Sequence, residues 1–294
     1  MFVRWTRIVI LALPTPLLPQ TPGYSGPIVD VHVHAEAGPA LEARVKELDG
    51  RHVVAAVVFG PDSALKEWLR RQPGRTIPSL NLPCIDLRVR RCYPGNTDLP
   101  DVRWVRDEIK AGRLRGLGEL VQQYAGMSPA DPRLEPYFAL AEEFDLPVGI
   151  HLGLAPPRTP ELCCPAFRTY LGRPHLLEDV LARHPKLRIY IMHAGYPYAE
   201  ETIAILHMYP NVYVDIAAIA MQRAIPRVVF QAYLRRLTEA GFHTRVMYGS
   251  DYPGASDATI DSIDSAPFLT ADEKRDIFCR NAVRFFRLRN VSCE

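Results

Sequence analysis

From Pro27 onward one pattern repeats along the chain: a short apolar, β-branched run, a loop, then an amphipathic helical segment. The runs are Ile28 to His34, His52 to Phe59, Thr76 to Leu87, Arg113 to Leu120, Leu146 to Gly153, Leu187 to Gly195, Val212 to Ile219 and Thr244 to Tyr252. Continuous apolar runs, in place of strict alternation, mark strands buried on both faces, as in a parallel sheet covered by helices. Helical segments fall between them at Leu41 to Leu48, Ser63 to Arg71, Val102 to Ala111, Leu134 to Phe144, Leu176 to His184, Ala199 to Tyr209 and Pro226 to Ala240. Thr270 to Phe286 closes the set, with Thr270-x-x-Glu273 as a capping box. Eight strands alternating with eight helices predict an α/β fold, a single-domain (β/α)8 TIM barrel over residues 27–294 with its chemistry at the C-terminal strand ends. That span is close to the ~250 residues typical of such barrels. A doubly wound open sheet is the alternative, but no glycine fingerprint follows the first run to support dinucleotide binding.

Residues 1–26 read differently. Arg4 and Arg7 precede an apolar stretch, Ile8 to Leu18, of the length of a signal-peptide core and too short to span a bilayer. Pro14 and Pro16 interrupt it, and no clear small-x-small cleavage site follows before Tyr24-Ser25-Gly26. The segment is expected to be a leader, as in a signal peptide, or a disordered extension; an exported or periplasmic location is favoured, with the cytoplasm as the alternative. Of the six cysteines, Cys84 and Cys92 could be bridged across a loop in an oxidising compartment, Cys163 and Cys164 are adjacent, and Cys279 and Cys293 lie near the C-terminus. No C-x-x-C appears, which argues against a zinc ribbon or thioredoxin-type site.

Lys plus Arg total 35 against 33 Asp plus Glu, for a net charge of +2, and no dense basic run could follow a phosphate backbone. The expected partner is a small-molecule substrate, with no nucleic acid and no integral membrane span; a homodimer is compatible with the sequence.

The first run reads Ile28-Val29-Asp30-Val31-His32-Val33-His34. Residues i and i+2 of a strand face the same way, so His32 and His34 can present two imidazoles to one point. Alone, H-x-H also fits two core-edge histidines. Four other runs end in a lone His, Glu or Asp: Glu119, His151, His193 and Asp251. Each would be costly to bury unpartnered, and burial around a cation would compensate it. Neutral imidazoles at that end suit zinc, manganese or iron. His52, His175, His184, His207 and His243 fall at strand starts or in helices, away from this end. The proline-rich excursion Leu154 to Arg173 has no helical period and reads as a lid or substrate wall, or as a solvent-facing insertion. Tyr124, Tyr196, Phe167 and Tyr252 are candidates to line the pocket.

Together, the H-x-H opening, Glu119, His151, His184-Pro185-x-Leu187 followed by His193-Ala194-Gly195-Tyr196-Pro197, and Gly249-Ser250-Asp251-Tyr252-Pro253 resemble the amidohydrolase superfamily. Within it they are most similar to the amidohydrolase 2 group of metal-dependent TIM-barrel hydrolases and decarboxylases. The resemblance implies that His32, His34, His151 and Asp251 hold a catalytic divalent metal, while His193 acts as acid or base beside it or joins the ligands. It leaves Glu119 either bridging two metals, as in TatD-type deoxyribonucleases, or hydrogen-bonding a bound water in a mononuclear site. One metal is favoured over two, and zinc over manganese, iron or cobalt.

The implied chemistry is hydrolysis of a C–O or C–N bond in a lactone, ester or amide by a metal-activated water, with Asp251, His193 and Glu119 as the catalytic residues. The alternative is non-oxidative decarboxylation of an unsaturated or aromatic carboxylic acid. That reaction calls for an arginine to grip the departing carboxylate, and Arg88 and Arg158 are the candidates. A nuclease would need a basic rim, which the near-neutral charge does not supply.

Overall fold

Ile28–His34 forms β1, buried along its length except at His34, and it opens an all-parallel sheet. The strands that follow are β2 (Val53–Gly60), β3 (Thr76–Leu82), β4 (Gly116–Leu120), β5 (Pro147–His151), β6 (Arg188–Met192), β7 (Val212–Asp215) and β8 (Val246–Met247), paired in chain order. β8 returns to β1 through Val31 N–H to the Tyr248 carbonyl at 3.0 Å, Asp251 N–H to the His32 carbonyl at 2.8 Å, and a parallel bridge between Val33 and Asp251. The expected single (β/α)8 TIM barrel is the fold observed. The computed structural model describes residues 23–85, 92–95, 98–221 and 225–294. The leader proposed for residues 1–26 therefore falls largely outside the described residues, as does Arg88. Tyr24, just before β1, stacks on Phe278 with ring centroids 4.2 Å apart.

Helices cover the barrel: α1 (Pro39–Gly50), α2 (Asp62–Arg71), α3 (Val102–Lys110), α4 (Glu135–Glu143), α5 (Thr159–Leu162), α6 (Glu178–Arg183), α7 (Ala199–Met208), α8 (Arg227–Leu237), α9 (Ser256–Asp264), α10 (Ala271–Arg275) and α11 (Asn281–Phe286). Alternation along each strand divides the core. Val58, Leu80, Ile150 and Ile191 pack outward on Trp68, Phe138 and Leu181 of the helices. Val57, Ile77, Tyr190 and Met192 fill the interior, where Phe285 and Phe286 pack edge-on against Tyr190. Each such buried side chain contributes ~1.5–3 kcal/mol of apolar transfer.

Several boundaries differ from the sequence reading. β3 stops at Leu82, short of Leu87, because Pro83 brings no N–H to the ladder. β6 ends at Met192, and His193, Ala194 and Gly195 form a turn with φ of 56°, 49° and 67°. The excursion after β5 is not devoid of helix, since it carries α5 and a 3₁₀ turn at Thr169–Gly172. α9 is an unforeseen helix: its buried positions, Ser256, Thr259, Ser262 and Ile263, are mostly small and polar, so it shows no apolar stripe. The Thr270–Glu273 capping box forms as expected.

All six cysteines are paired, Cys84 with Cys92, Cys163 with its neighbour Cys164, and Cys279 with Cys293. Among the described residues no helix is long and apolar enough to cross a membrane.

Candidate active site

Two irregularities in the sheet bring side chains to the mouth. Between Asp30 and Val33, β1 advances three residues where β2 advances two, from Ala56 to Val58. This bulge lies immediately around His32. From Leu117 to Leu120, β4 likewise advances three residues where β3 and β5 each advance two, and the extra step includes Glu119. It turns at Gly118, whose φ is 131° and where a Cβ would fall 2.5 Å from the Gly149 carbonyl oxygen. Only glycine fits such a position. The sixth and eighth units deliver their residues from left-handed backbone, with φ of 56° at His193 and 66° at Asp251. For non-glycine residues this conformation costs ~1–3 kcal/mol and concentrates at functional sites.

The six residues singled out in the sequence meet in one cluster. Asp251 Oδ1 lies 3.0 Å from His34 Nε2 and 3.6 Å from His32 Nε2, and Glu119 Oε2 lies 3.7 Å from His34 Nε2. His34 has 36% of its side chain exposed and the others are buried, so it marks the open side.

Carbonyl partners assign the tautomers of the two remaining imidazoles. His193 Nδ1 is 3.0 Å from the Ala217 carbonyl and His151 Nε2 is 3.2 Å from the Leu154 carbonyl. A carbonyl only accepts, so these nitrogens donate. His193 Nε2 and His151 Nδ1 then face each other at 3.1 Å and face Glu119 Oε1 at 3.5 and 2.8 Å. Three lone pairs converge there, and a shared proton satisfies them. Burial alone would depress both imidazoles; Glu119 outweighs it at His193, which is raised, while His151 stays lowered. Burial would raise Glu119, but hydrogen bonds from His151 and His193 hold it well below the usual carboxylate range.

Behind the cluster stand residues that the sequence reading missed. Asp215, at the end of β7, accepts from His32 Nδ1 at 2.9 Å with Oδ2 and from the His193 and Ala217 N–H groups with Oδ1. It is a lone acid in an apolar run, the same signal that picked out Glu119 and Asp251. Asp30 accepts from the His32 and Ser250 N–H groups and from the Ser250 hydroxyl at 2.6 Å. The buried Arg44 of α1 donates to Ser250 Oγ and to Glu47, and Glu47 accepts from Gly254 N–H. This chain fixes the loop that carries Asp251 against α1.

Among the expected pocket residues, Tyr124 packs on His151 and Phe167 on Tyr124, while Tyr252 stacks on His34. Burial, with Glu119 and Asp251 nearby, raises both phenols far above their ordinary value, so they remain protonated donors. Tyr196 packs instead on Tyr233. Arg158 pairs with Glu161 on its own loop, and its exposed side chain is spent there. His175 pairs with Glu201 and His184 bridges Glu135 and Glu142, consistent with structural roles.

A family model described as Amidohydrolase matches residues 26–288. The chain belongs to the amidohydrolase family. It is accordingly an enzyme, and its solved structural neighbours are TIM barrels. An uncharacterized TIM-barrel protein from Bordetella bronchiseptica is 16% identical with a TM-score of 0.66, covering 88% of this chain and 98% of that one. A probable 2-pyrone-4,6-dicarboxylic acid hydrolase from Acinetobacter baumannii, with citric acid bound, is 14% identical with a TM-score of 0.63, covering 88% and 99%. A 5-carboxyvanillate decarboxylase from Novosphingobium aromaticivorans, with manganese bound, is 17% identical with a TM-score of 0.58, covering 84% and 83%. No curated protein matches the sequence.

The donor set of this amidohydrolase fits a metal ion. His32, His34 and Asp251 offer ligand atoms within 4.8 Å of one another, as do His32, Glu119 and His193. Two atoms of the first group lack a well-formed hydrogen bond: His32 Nε2 is buried without a partner, and Asp251 Oδ1 has only the ion-pair contact to His34 Nε2 at 3.0 Å. Such orphans are costly, and a cation between them removes the cost. His151 belongs to neither group; its ring nitrogens face Glu119 and the Leu154 carbonyl.

Proposed function

We propose that this amidohydrolase cleaves a C–O or C–N bond of a small lactone, ester or amide, using one divalent metal, zinc in the first instance, held by His32, His34 and Asp251. His32 Nε2, buried without a hydrogen-bond partner 3.6 Å from Asp251 Oδ1, carries this reading. When bound, the cation supplies Lewis acidity toward a carbonyl oxygen and acidifies water. The chain's own residues handle the protons. Asp251 Oδ2, 3.9 Å from His193 Nδ1, accepts one from the attacking water, and His193, sharing a proton with His151 and Glu119, returns one to the leaving group. Tyr124 and Tyr252 donate to substrate oxygens at the mouth. His151 supports the site through Glu119.

Hydrolysis is favoured over decarboxylation by the charges. Among the described residues no guanidinium or ammonium lies within ion-pair distance of Glu119 or Asp251, and Arg158 is paired elsewhere. A neutral substrate suits such a mouth. Decarboxylation keeps support from the Novosphingobium neighbour, a 5-carboxyvanillate decarboxylase. The cysteine pairings support the exported location.

The test is a panel of lactones, aryl esters, amides and aryl carboxylates, turned over in ¹⁸O-water by the zinc- and the manganese-loaded protein. The label is expected in the product acid. Carbon dioxide release without label overturns the hydrolase reading.

A further inference from the structure

We infer that a second site, at the end of the barrel opposite the metal residues, binds a small oxyanion. A cleft of about 430 Å³ opens there, within the ~300–1,000 Å³ of ligand pockets. Its walls come from the chain before β1 (Pro27), the starts of β2 (Val54) and β3 (Thr76), the entry to β4 (Arg115) and the segment after α11 (Arg289). Those are N-terminal strand ends, whereas His32, Glu119 and Asp251 sit at C-terminal ones.

Basic residues outnumber acidic ones in this cleft. Arg75, Arg115 and Arg289 line it against one acidic residue, Glu294, whose side-chain carboxylate is bonded to Arg280. Arg75 is already fixed, donating to Asp49, to the Val53 carbonyl and to Gln72. Arg115 and Arg289 have no side-chain hydrogen-bond or ion-pair partner among the described residues. Several surface arginines elsewhere find acids, as Arg71 meets Glu42, Arg106 meets Glu143, Arg183 meets Glu135 and Arg236 meets Glu200, while Arg103, also without a side-chain partner among the described residues, does not line this cleft. Two guanidinium-bearing residues without a partner on the wall of one concavity offer the donors that phosphate and carboxylate accept in bidentate fashion. The wall also holds the Thr76 hydroxyl, buried and without a hydrogen-bond partner. The ligand is therefore a small molecule carrying a phosphate or clustered carboxylates. The cleft is too confined and the net charge too near neutral for a nucleic-acid track.

Calorimetric titration of the full, metal-free chain at constant ionic strength provides the test, with inorganic phosphate and citrate as separate probes. Working without metal keeps the anion probes from binding through a bound cation. Saturable binding of at least one probe is expected, weakened by about tenfold or more in R115E and in R289E. R103E, a charge reversal on α3, controls for net charge and should bind within about twofold of wild type. Melting curves of all variants establish folding, and R115A with R289A replaces any charge reversal that fails to fold. The stronger probe distinguishes phosphate from carboxylate recognition. Absence of saturable binding to both probes, or equal weakening in R103E, overturns the inference.

Discussion

The Nδ1 of His32 and the Oδ2 of Asp215 lie 2.9 Å apart with both side chains fully excluded from solvent. A carboxylate at this distance fixes the ring plane and keeps a proton on Nδ1, which leaves Nε2, on the side of Asp251, as the nitrogen that would hold the proposed cation.

Replacing Asp215 with asparagine tests that arrangement. The amide oxygen can still accept from the His193 and Ala217 N–H groups, which leaves the NH₂ group facing His32 and forces the proton to Nε2. Metal affinity should fall by ~10–100-fold with a small change in melting temperature. Chelator competition measures the first and calorimetric melting the second; unchanged affinity would show that His32 is not a ligand through Nε2.

Metal uptake should release protons. Burial alone would depress His32, but Asp251 and Asp215 outweigh it and push the imidazole up to about 10. In metal-free protein at neutral pH that ring is protonated, and ligation through Nε2 displaces the proton. Affinity should therefore rise with pH below that value. Titrations in buffers of different ionisation enthalpy count the protons; a count of zero at pH 7 contradicts ligation by His32.

Gly118→Ala should be severe. A methyl group there meets the Gly149 carbonyl at 2.5 Å on backbone with positive φ. A cost of about 1–3 kcal/mol or more is expected, with loss of activity because Glu119 is displaced. Denaturant unfolding and turnover of the best lactone or ester check both. Gly112, also at positive φ but with nothing near its Cβ direction, gives the strain-only comparison.

Acid should loosen the loop bearing Asp251. Burial would raise the Glu47 carboxyl, but Gly254, Ser256 and Arg44 hold it below its usual value. The folded state then binds fewer protons than the unfolded state, so Glu47 stabilises fully above the ordinary glutamate pKa of ~4.3 and loses that contribution as pH falls through its own lower value. E47Q should lower stability near pH 7 and match wild type near pH 2, measured as the difference between their denaturant midpoints.

Much of this was legible in the chain because strand burial and ligand chemistry leave simple marks. Eight apolar runs located the strands, and lone polar residues at their ends located His32, His34, Glu119, His151, His193 and Asp251. Strand ends were less legible. A two-residue periodicity cannot show that β1 and β4 each take an extra step, nor that His193 leaves its strand on left-handed backbone, because register is settled between strands. α9 escaped since its inward face is serine and threonine held by tertiary contacts. Asp215 was readable by the rule already applied to its neighbours, whereas Arg44 reads as an ordinary surface cation until α1 is docked.

The bonds that tie His32 and Asp30 to Ser250 and Asp251 join positions separated by as many as 220 residues. During synthesis the histidine pair of β1 emerges long before its carboxylate. The proposed metal centre is thus a property of the closed barrel only: a chain lacking the β8 segment would have the pair but no carboxylate beside it, and loading would follow completion of the polypeptide. Such late assembly makes ion occupancy a report on whether the last strand has found the first.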